Sequence, residues 1–229
     1  MTRFIPLLLL AAILPAQPAD PKLALEVAAV RAHVARSNDA LRQYTWTEHT
    51  EVSVGGDVKS STALICRYDE SGALTKTPVG DSKDDQKKPP SAVSKRHTVR
   101  KKADLQDYID RSISRVRVYV PPKPETMQYL LQSGQVSLGQ SEPGKWELRF
   151  THYYEPGDLL VFTYDTVSKV LLRVNVKSTL GSPKDPVTLE ALFEPLPDGI
   201  NHAASAILIA KKRKIQVKVW NDNYQKVAN

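Results

Sequence analysis

The chain has 229 residues, 41% of them hydrophobic and 25% charged, with a formal net charge of +7. That balance excludes a wholly disordered chain and suits one sizeable domain or two small ones. Cys66 is the only cysteine, which excludes an intramolecular disulfide and leaves stability to the hydrophobic core.

Arg3 precedes an apolar run from Phe4 to Leu14, and the small residues Ala16 and Ala19 follow. This is the pattern of a secretory signal peptide over residues 1–19, because the run is shorter than the roughly 20 residues that a membrane-spanning helix needs. The mature chain, 20–229, is expected to be a soluble, monomeric single domain that is periplasmic or secreted.

Beyond the signal, Leu23, Val27, Val30, Val34 and Leu41 fall near one face of a helix predicted from Pro21 to Arg42, with Asp20 as its N-cap. From Tyr44 to Val54 the period changes to two, with Tyr44, Trp46, Val52 and Val54 on one face. Gly55-Gly56-Asp57 predicts a hairpin into a second strand, Val58 to Tyr68, in which Cys66 is read as a buried, inert thiol. A third short strand is expected over Leu74 to Val79.

Between Asp81 and Lys102 stand eight Lys/Arg against three Asp, a net of +5, with Pro89, Pro90 and few apolar residues. Such a stretch buries too little surface to offset its ordering entropy and is predicted to be a flexible basic insertion over 81–102. It has no aromatics and the chain is exported, which argues against nucleic acid as a partner; its charge suits an anionic envelope surface.

Leu105, Tyr108, Ile109, Ile113 and Val116 then predict a second helix from Lys102 to Arg117, and Met127, Leu130 and Leu131 a third from Pro124 to Gln132. About six antiparallel strands should follow. Trp146, Leu148, Phe150, His152 and Tyr154 share a face of the first, which stops at Pro156-Gly157; Leu159 to Tyr164 and Lys169 to Lys177 come next, with Val170, Leu172, Val174 and Val176 on one face of the latter. The last stretch, Asp185 to Asn223, carries Val187, Leu189, Ala191 and Phe193 in alternation, a Leu196-Pro197-Asp198-Gly199 turn, the apolar run Ala206 to Ala210, and Ile215, Val217 and Val219 in alternation. Helix, strands, helices, strands is the order of an α+β domain with its helices on one face of a large curved antiparallel sheet.

Catalytic signatures are missing from the sequence. The histidines 33, 49, 97, 152 and 202 lack metal-ligand spacing, no P-loop or nucleophile elbow occurs, and Glu155, Asp158 and Asp165 read as charged turn residues. The expectation is a protein that is not an enzyme and has no cofactor or metal. Trp46, Val52, Phe150, Leu172, Leu189, Phe193 and Val217 fall on apolar strand faces, where they either fill a solid core or line a ligand cavity.

The first helix followed by Gln43-Tyr44-Thr45, the helix leading into Tyr119-Val120-Pro121-Pro122, the Leu196-Gly199 turn and Asn223-Tyr224 together resemble the periplasmic lipoprotein-carrier superfamily of outer-membrane lipoprotein sorting, including its uncharacterised exported relatives. The resemblance implies an unclosed β-barrel covered by about three helices over a hydrophobic cavity. It also implies non-enzymatic binding of a lipid, a lipoprotein acyl chain or another amphiphile, with a lipid or lipidated protein as partner. The competing reading is an envelope interaction module with a solid core and a basic contact loop.

Overall fold

The computed structural model describes residues 21–80 and 92–227, the side chains of 92–101 excepted. The expected signal peptide, the expected Asp20 cap and the first half of the basic stretch lie outside the described residues. Helix α1 (Pro21–Leu41) leads into β1 (Tyr44–Val54), β2 (Asp57–Tyr68) and β3 (Leu74–Pro78); α2 (Ala92–Arg117) and α3 (Pro124–Gln132) follow. Seven strands complete the chain: β4 (Val136–Glu142), β5 (Lys145–Thr151), β6 (Leu159–Asp165), β7 (Leu171–Thr179), β8 (Pro186–Pro195), β9 (Asn201–Ala210) and β10 (Ile215–Lys226).

All ten strands form one antiparallel sheet in the order β3-β2-β1-β10-β9-β8-β7-β6-β5-β4. The edge strands β3 and β4 do not pair, so the barrel is unclosed, and the expected α+β class with three helices is what the chain adopts. The β1–β2 hairpin turns on Gly55 and Gly56, whose φ angles of 63° and 94° are those a two-residue turn compatible with strand twist demands.

Several boundaries differ from the sequence reading for local reasons. The second helix starts at Ala92 rather than Lys102, so part of the basic stretch is helical: a shortage of apolar residues argues against burial and not against helix. Strand β4 was missed because Ser137, Gly139, Gln140 and Ser141 dilute the alternation of Val136 and Leu138, although Pro143-Gly144 marks its hairpin to β5. Strand β5 ends at Thr151, since His152 adopts φ 56°, and β7 cannot start at Lys169, whose φ is 58°. A bulge opposite Thr163 and Tyr164 then turns Leu171 inward, and Leu172 is only half-buried.

The helices cover the sheet through two buried clusters. In the larger, Leu23, Val27 and Val30 of α1 and Met127, Leu130 and Leu131 of α3 meet Phe150, Leu160, Val174 and Val176. In the smaller, Tyr108, Ile109 and Val116 of α2 meet Val187, Leu208, Ile215 and Val217. Leu189 packs against both clusters.

Polar pins fix the helices within this apolar contact. Glu26 of α1 accepts from the Tyr164 hydroxyl at 3.0 Å and from Lys169 Nζ at 2.8 Å. Tyr108 of α2 donates to Asp185, Arg115 donates to Glu155 at 2.7 Å, and Tyr119, just past the helix, donates to Asp158. Burial, helped by Asp185, pushes the Tyr108 phenol up to about 12. The carboxylates of the β5–β6 connection thus serve as helix anchors.

Burial alone would push the Glu26 carboxyl up, but the bonds from Lys169 and Tyr164 and the charges of Lys169 and Lys22 outweigh it and hold the group below its ordinary value. A carboxyl depressed by folding contributes stability above its unfolded pKa and loses it as pH falls through the folded one. Glu26→Gln should therefore lower the melting temperature at neutral pH, and the gap to the parent should close on acidification below about pH 4. Scanning calorimetry across that range checks it, and a gap independent of pH would refute the ionic role. Separately, Tyr119→Phe should cost about 1–3 kcal/mol in urea unfolding, because it leaves the buried Asp158 carboxylate without its hydroxyl donor.

Candidate ligand-binding groove

The β9–β10 ladder runs from Ile215–Ala210 to Trp220–Ser205 and stops there, although both strands continue. Below that point β10 stays with β1 as far as Lys226, and β9 stays with β8 as far as Asn201. The sheet forks. Each arm of the fork carries a bulge: on β10 the register against β1 slips between Thr45 and Thr47, where Asn223 adopts φ 54°, and on β9 it slips opposite Leu192 and Phe193.

The bulge on β10 has a direct consequence for side chains. Asn221 and Tyr224 are three residues apart and in a regular strand would point to opposite faces; the extra residue brings both to the inner face, beside Glu48 and Trp46 of β1. Val34, Ser37, Asn38 and Leu41, at the i, i+3, i+4 and i+7 positions of α1, roof the fork. The N-terminal half of that helix seals the core and its C-terminal half covers this site.

The groove is open to solvent on one side and has a volume of about 150 Å³. Trp46, Tyr68, Phe193 and Tyr224 give it aromatic walls, and Glu48, Asn201, His202 and Asn221 its polar lining. Trp46 stacks on Tyr224 with centroids 5.7 Å apart and planes 13° apart, and lies 5.9 Å from Tyr68. Burial pushes the Tyr224 phenol up, reinforced by Cys66, Glu48, Tyr68 and Asp222. Cys66 is a buried free thiol, raised chiefly by burial and further by Glu48.

The polar groups of the fork are only half satisfied. Asn221 Nδ2 donates to the Ala203 carbonyl and Asn201 Nδ2 to the Leu171 carbonyl, both at 2.8 Å, which bridges backbone left without ladder partners. Among the described residues Asn201 Oδ1, Asn221 Oδ1 and His202 Nδ1 are buried without any hydrogen-bond partner. Asn201 and His202 are 4% and 7% exposed, and burial lowers the His202 pKa against the opposing Glu194 backbone and charge.

Of the seven cavity candidates read from the sequence, Trp46 and Phe193 line this groove. Phe150 and Val217 are buried in separate clusters, Val52 packs on the smaller, Leu189 joins the two, and Leu172 belongs to neither. Missed were Tyr68, Tyr224, His202, Asn201 and Asn221. The Asn223-Tyr224 pair was legible as a motif, but nothing in the alternation announced the fork.

Other polar groups singled out in the sequence lie elsewhere, and His33 Nε2 on α1 is buried without a partner outside this groove. Asp165 accepts from the Val167 and Ser168 amides at 3.0 and 2.8 Å, and His49 meets Asp222 at 3.1 Å while stacking on Trp220. No group of three or more His, Cys, Asp or Glu that could hold a metal occurs among the described residues.

No protein-family model and no curated protein matches the chain. Among solved structures, it is similar to a DUF1329 family protein from Desulfovibrio piger ATCC 29098, with 10% identity over 87% of this chain and 92% of that one at a TM-score of 0.40. It is also similar to a LolA superfamily protein from Nitrosomonas europaea, with 7% identity over 87% of this chain and 94% of that one at a TM-score of 0.41. The second carries the name of the carrier superfamily that the sequence resembles. At these values neither likeness assigns a residue, ligand or activity to this chain.

The αL residue that creates the β10 bulge gives a direct check. Asn223→Val should cost about 1–2 kcal/mol, because a branched side chain is strained at positive φ, whereas Asn223→Gly should be near neutral. Urea unfolding measures both; equal stability of the two variants would show that the bulge does not depend on this residue.

Proposed function

We propose that the protein is a non-enzymatic, periplasmic or secreted binding protein for an amphiphile, which inserts one end into the groove beneath the C-terminal half of α1. The observation that carries this reading is a groove with aromatic walls whose lining includes Asn201, His202 and Asn221, three residues that each hold a buried polar atom without a partner. Buried polar groups are nearly always paired, so three orphans in one lining mark a place where a ligand or ordered water completes the bonding.

The volume limits what enters. A dry cavity of about 150 Å³ takes a benzene-sized group, whereas pockets that swallow a drug-sized molecule run to about 300–1,000 Å³. Phe150, Leu160, Met127 and their neighbours pack together in a buried cluster beside the groove's helix. The groove therefore holds a head group or ring with a few methylenes, each contributing about 0.8 kcal/mol on burial, and leaves the rest of the amphiphile outside.

Native mass spectrometry of gently purified protein should show a small bound molecule that is lost in Ala203→Trp, a substitution that fills the groove, while circular dichroism stays unchanged. A parent protein that is consistently ligand-free, and that binds no amphiphile on titration, would overturn the proposal in favour of an interaction module with a solid core.

A further inference from the structure

We propose that one rim of the open sheet, centred on the β9–β10 turn, is a docking surface for a bilayer that contains anionic lipid; this is independent of what the groove holds. The turn is Lys211-Lys212-Arg213-Lys214, and all four residues are exposed. Turn geometry does not ask for them. Lys214 sits at φ 52°, a left-handed conformation that glycine or asparagine adopts at less cost, and four adjacent cations repel one another. The fold then adds to their charge. Arg213 Nη1 donates to the Asp104 carbonyl at 3.2 Å, so the turn abuts α2 where the helix leaves its basic run. Lys95, Arg96, Arg100, Lys101 and Lys102 precede that carbonyl within about 14 Å of helix, with no acid among residues 92–103. Two basic stretches far apart in sequence meet at one corner.

Lys184 of the β7–β8 connection and Lys177 near the end of β7 are exposed on the same rim. Among the described residues, Lys177, Lys184, Lys211 and Lys214 pair with no carboxylate, and Lys212 reaches only the buried Asp185, which Tyr108 already holds. The opposite rim is different: Lys76, Lys145, Lys169 and Lys226 there each meet a carboxylate. The loop acids of the basic rim are themselves engaged, Asp57 by Lys59, Glu155 by Arg115 and Asp158 by Tyr119. Asp104 and Asp110 on α2, which form no ion pair among the described residues, are too few to offset the lysines.

The sheet behind the turn points to a bilayer and not to a soluble polyanion. Val58, Ser53, Gln216, Ile209, Thr188 and Lys177 are cross-strand neighbours in one row from β2 to β7, on the face opposite the inward Val54, Ile215, Ala210 and Val187. That row contains no acid, and Val58 and Ile209 in it are 56% and 37% exposed. Apolar side chains bordered by lysines suit a membrane interface, where hydrocarbon lies next to charge. A polyanion in solution would gain nothing from them. The groove lies along the same strands but well away: Trp46 is eight residues from Val54 on β1, roughly 27 Å, so contact at this rim leaves the groove uncovered.

Co-sedimentation of the mature chain, 20–229, with lipid vesicles tests this. Vesicles of phosphatidylcholine with about 30% phosphatidylglycerol should bind it at least about tenfold tighter than phosphatidylcholine alone, since each lysine near an anionic leaflet contributes roughly fivefold in partitioning. Salt at about 0.5 M should remove most of the difference by screening. These comparisons on the parent protein need no variant to fold. Lys211→Gln combined with Lys214→Gln should weaken binding at least about tenfold, and Val58→Glu, which puts an acid into the uncharged row, about fivefold. Lys145→Gln combined with Lys226→Gln makes the same change of net charge at the opposite rim and should alter binding less than about twofold. Equal binding to the two kinds of vesicle, or equal loss in the two double variants, would overturn the proposal. Binding that Val58→Glu leaves unchanged and that soluble dextran sulfate matches would also overturn it, in favour of a polyanion held by charge alone.

Discussion

The pairing of β1 with β10 joins the beginning of the chain to its end, and the rest of the molecule depends on it. The ladder runs from Tyr44–Lys226 to Val54–Ile215, so the first hairpin extends the sheet built by the last seven strands. Helix α1 enters β1 almost directly and must therefore lie over the middle of that sheet, where it contacts β7 and β9. The two edges are far apart in strand order, and the connection between them supplies α2 and α3 as the remaining cover. An open sheet with an apolar inner face needs such a cover, and this topology delivers it from both directions along the chain.

What the sequence revealed and what it concealed divide along a physical line. Elements with an unbroken period were legible: β1 and α3 have the limits that alternation and helical spacing predicted, and the Gly55-Gly56 hairpin is where the turn residues placed it. Errors fell where a single backbone residue breaks the period. His152 and Lys169 at positive φ shorten two strands, and one bulge replaces Leu172 by Leu171 in the core. Strand β4, with a glycine, two serines and a glutamine among its seven residues, has too weak a period to read and owes its existence to its ladder with β5. The groove belongs to the same class, since it arises from two bulges and the end of a ladder, and none of these is encoded by hydropathy. Of its lining, Trp46 and Phe193 on the strands and Val34 and Leu41 on α1 stood on faces that could be counted.

The fork between β9 and β10 is costly to make. Separating two strands strands their amides and carbonyls, and a buried backbone group without a partner loses about as much as a hydrogen bond returns. Asn221 answers this by donating across the gap to Ala203, whereas Asn201 reaches over to Leu171 on β7, beyond the end of the β7–β8 ladder. Yet the repair is incomplete, and three of the four buried unpaired side-chain atoms among the described residues belong to residues of this lining, the fourth being His33 Nε2 on α1. A core under selection for stability alone would have closed the ladder with apolar pairs, as it does between Ile215–Ala210 and Val217–Leu208 higher up the same two strands. The contrast between the two ends of one strand pair separates the structural part of the sheet from the part with another use.

A small groove with a polar floor also discriminates in a particular way. Adding or removing one methylene in an apolar site changes affinity by only about 1–3 kcal/mol, whereas a site with unpaired polar atoms rejects a partner that cannot pair them by far more. With about 150 Å³ to fill, this groove has little apolar depth on which to measure a tail. On the proposed function, its selectivity rests on the polar lining of Asn201, His202, Asn221 and Glu48 rather than on tail length. Under that proposal the head group, and not the acyl length, decides which amphiphile the groove takes.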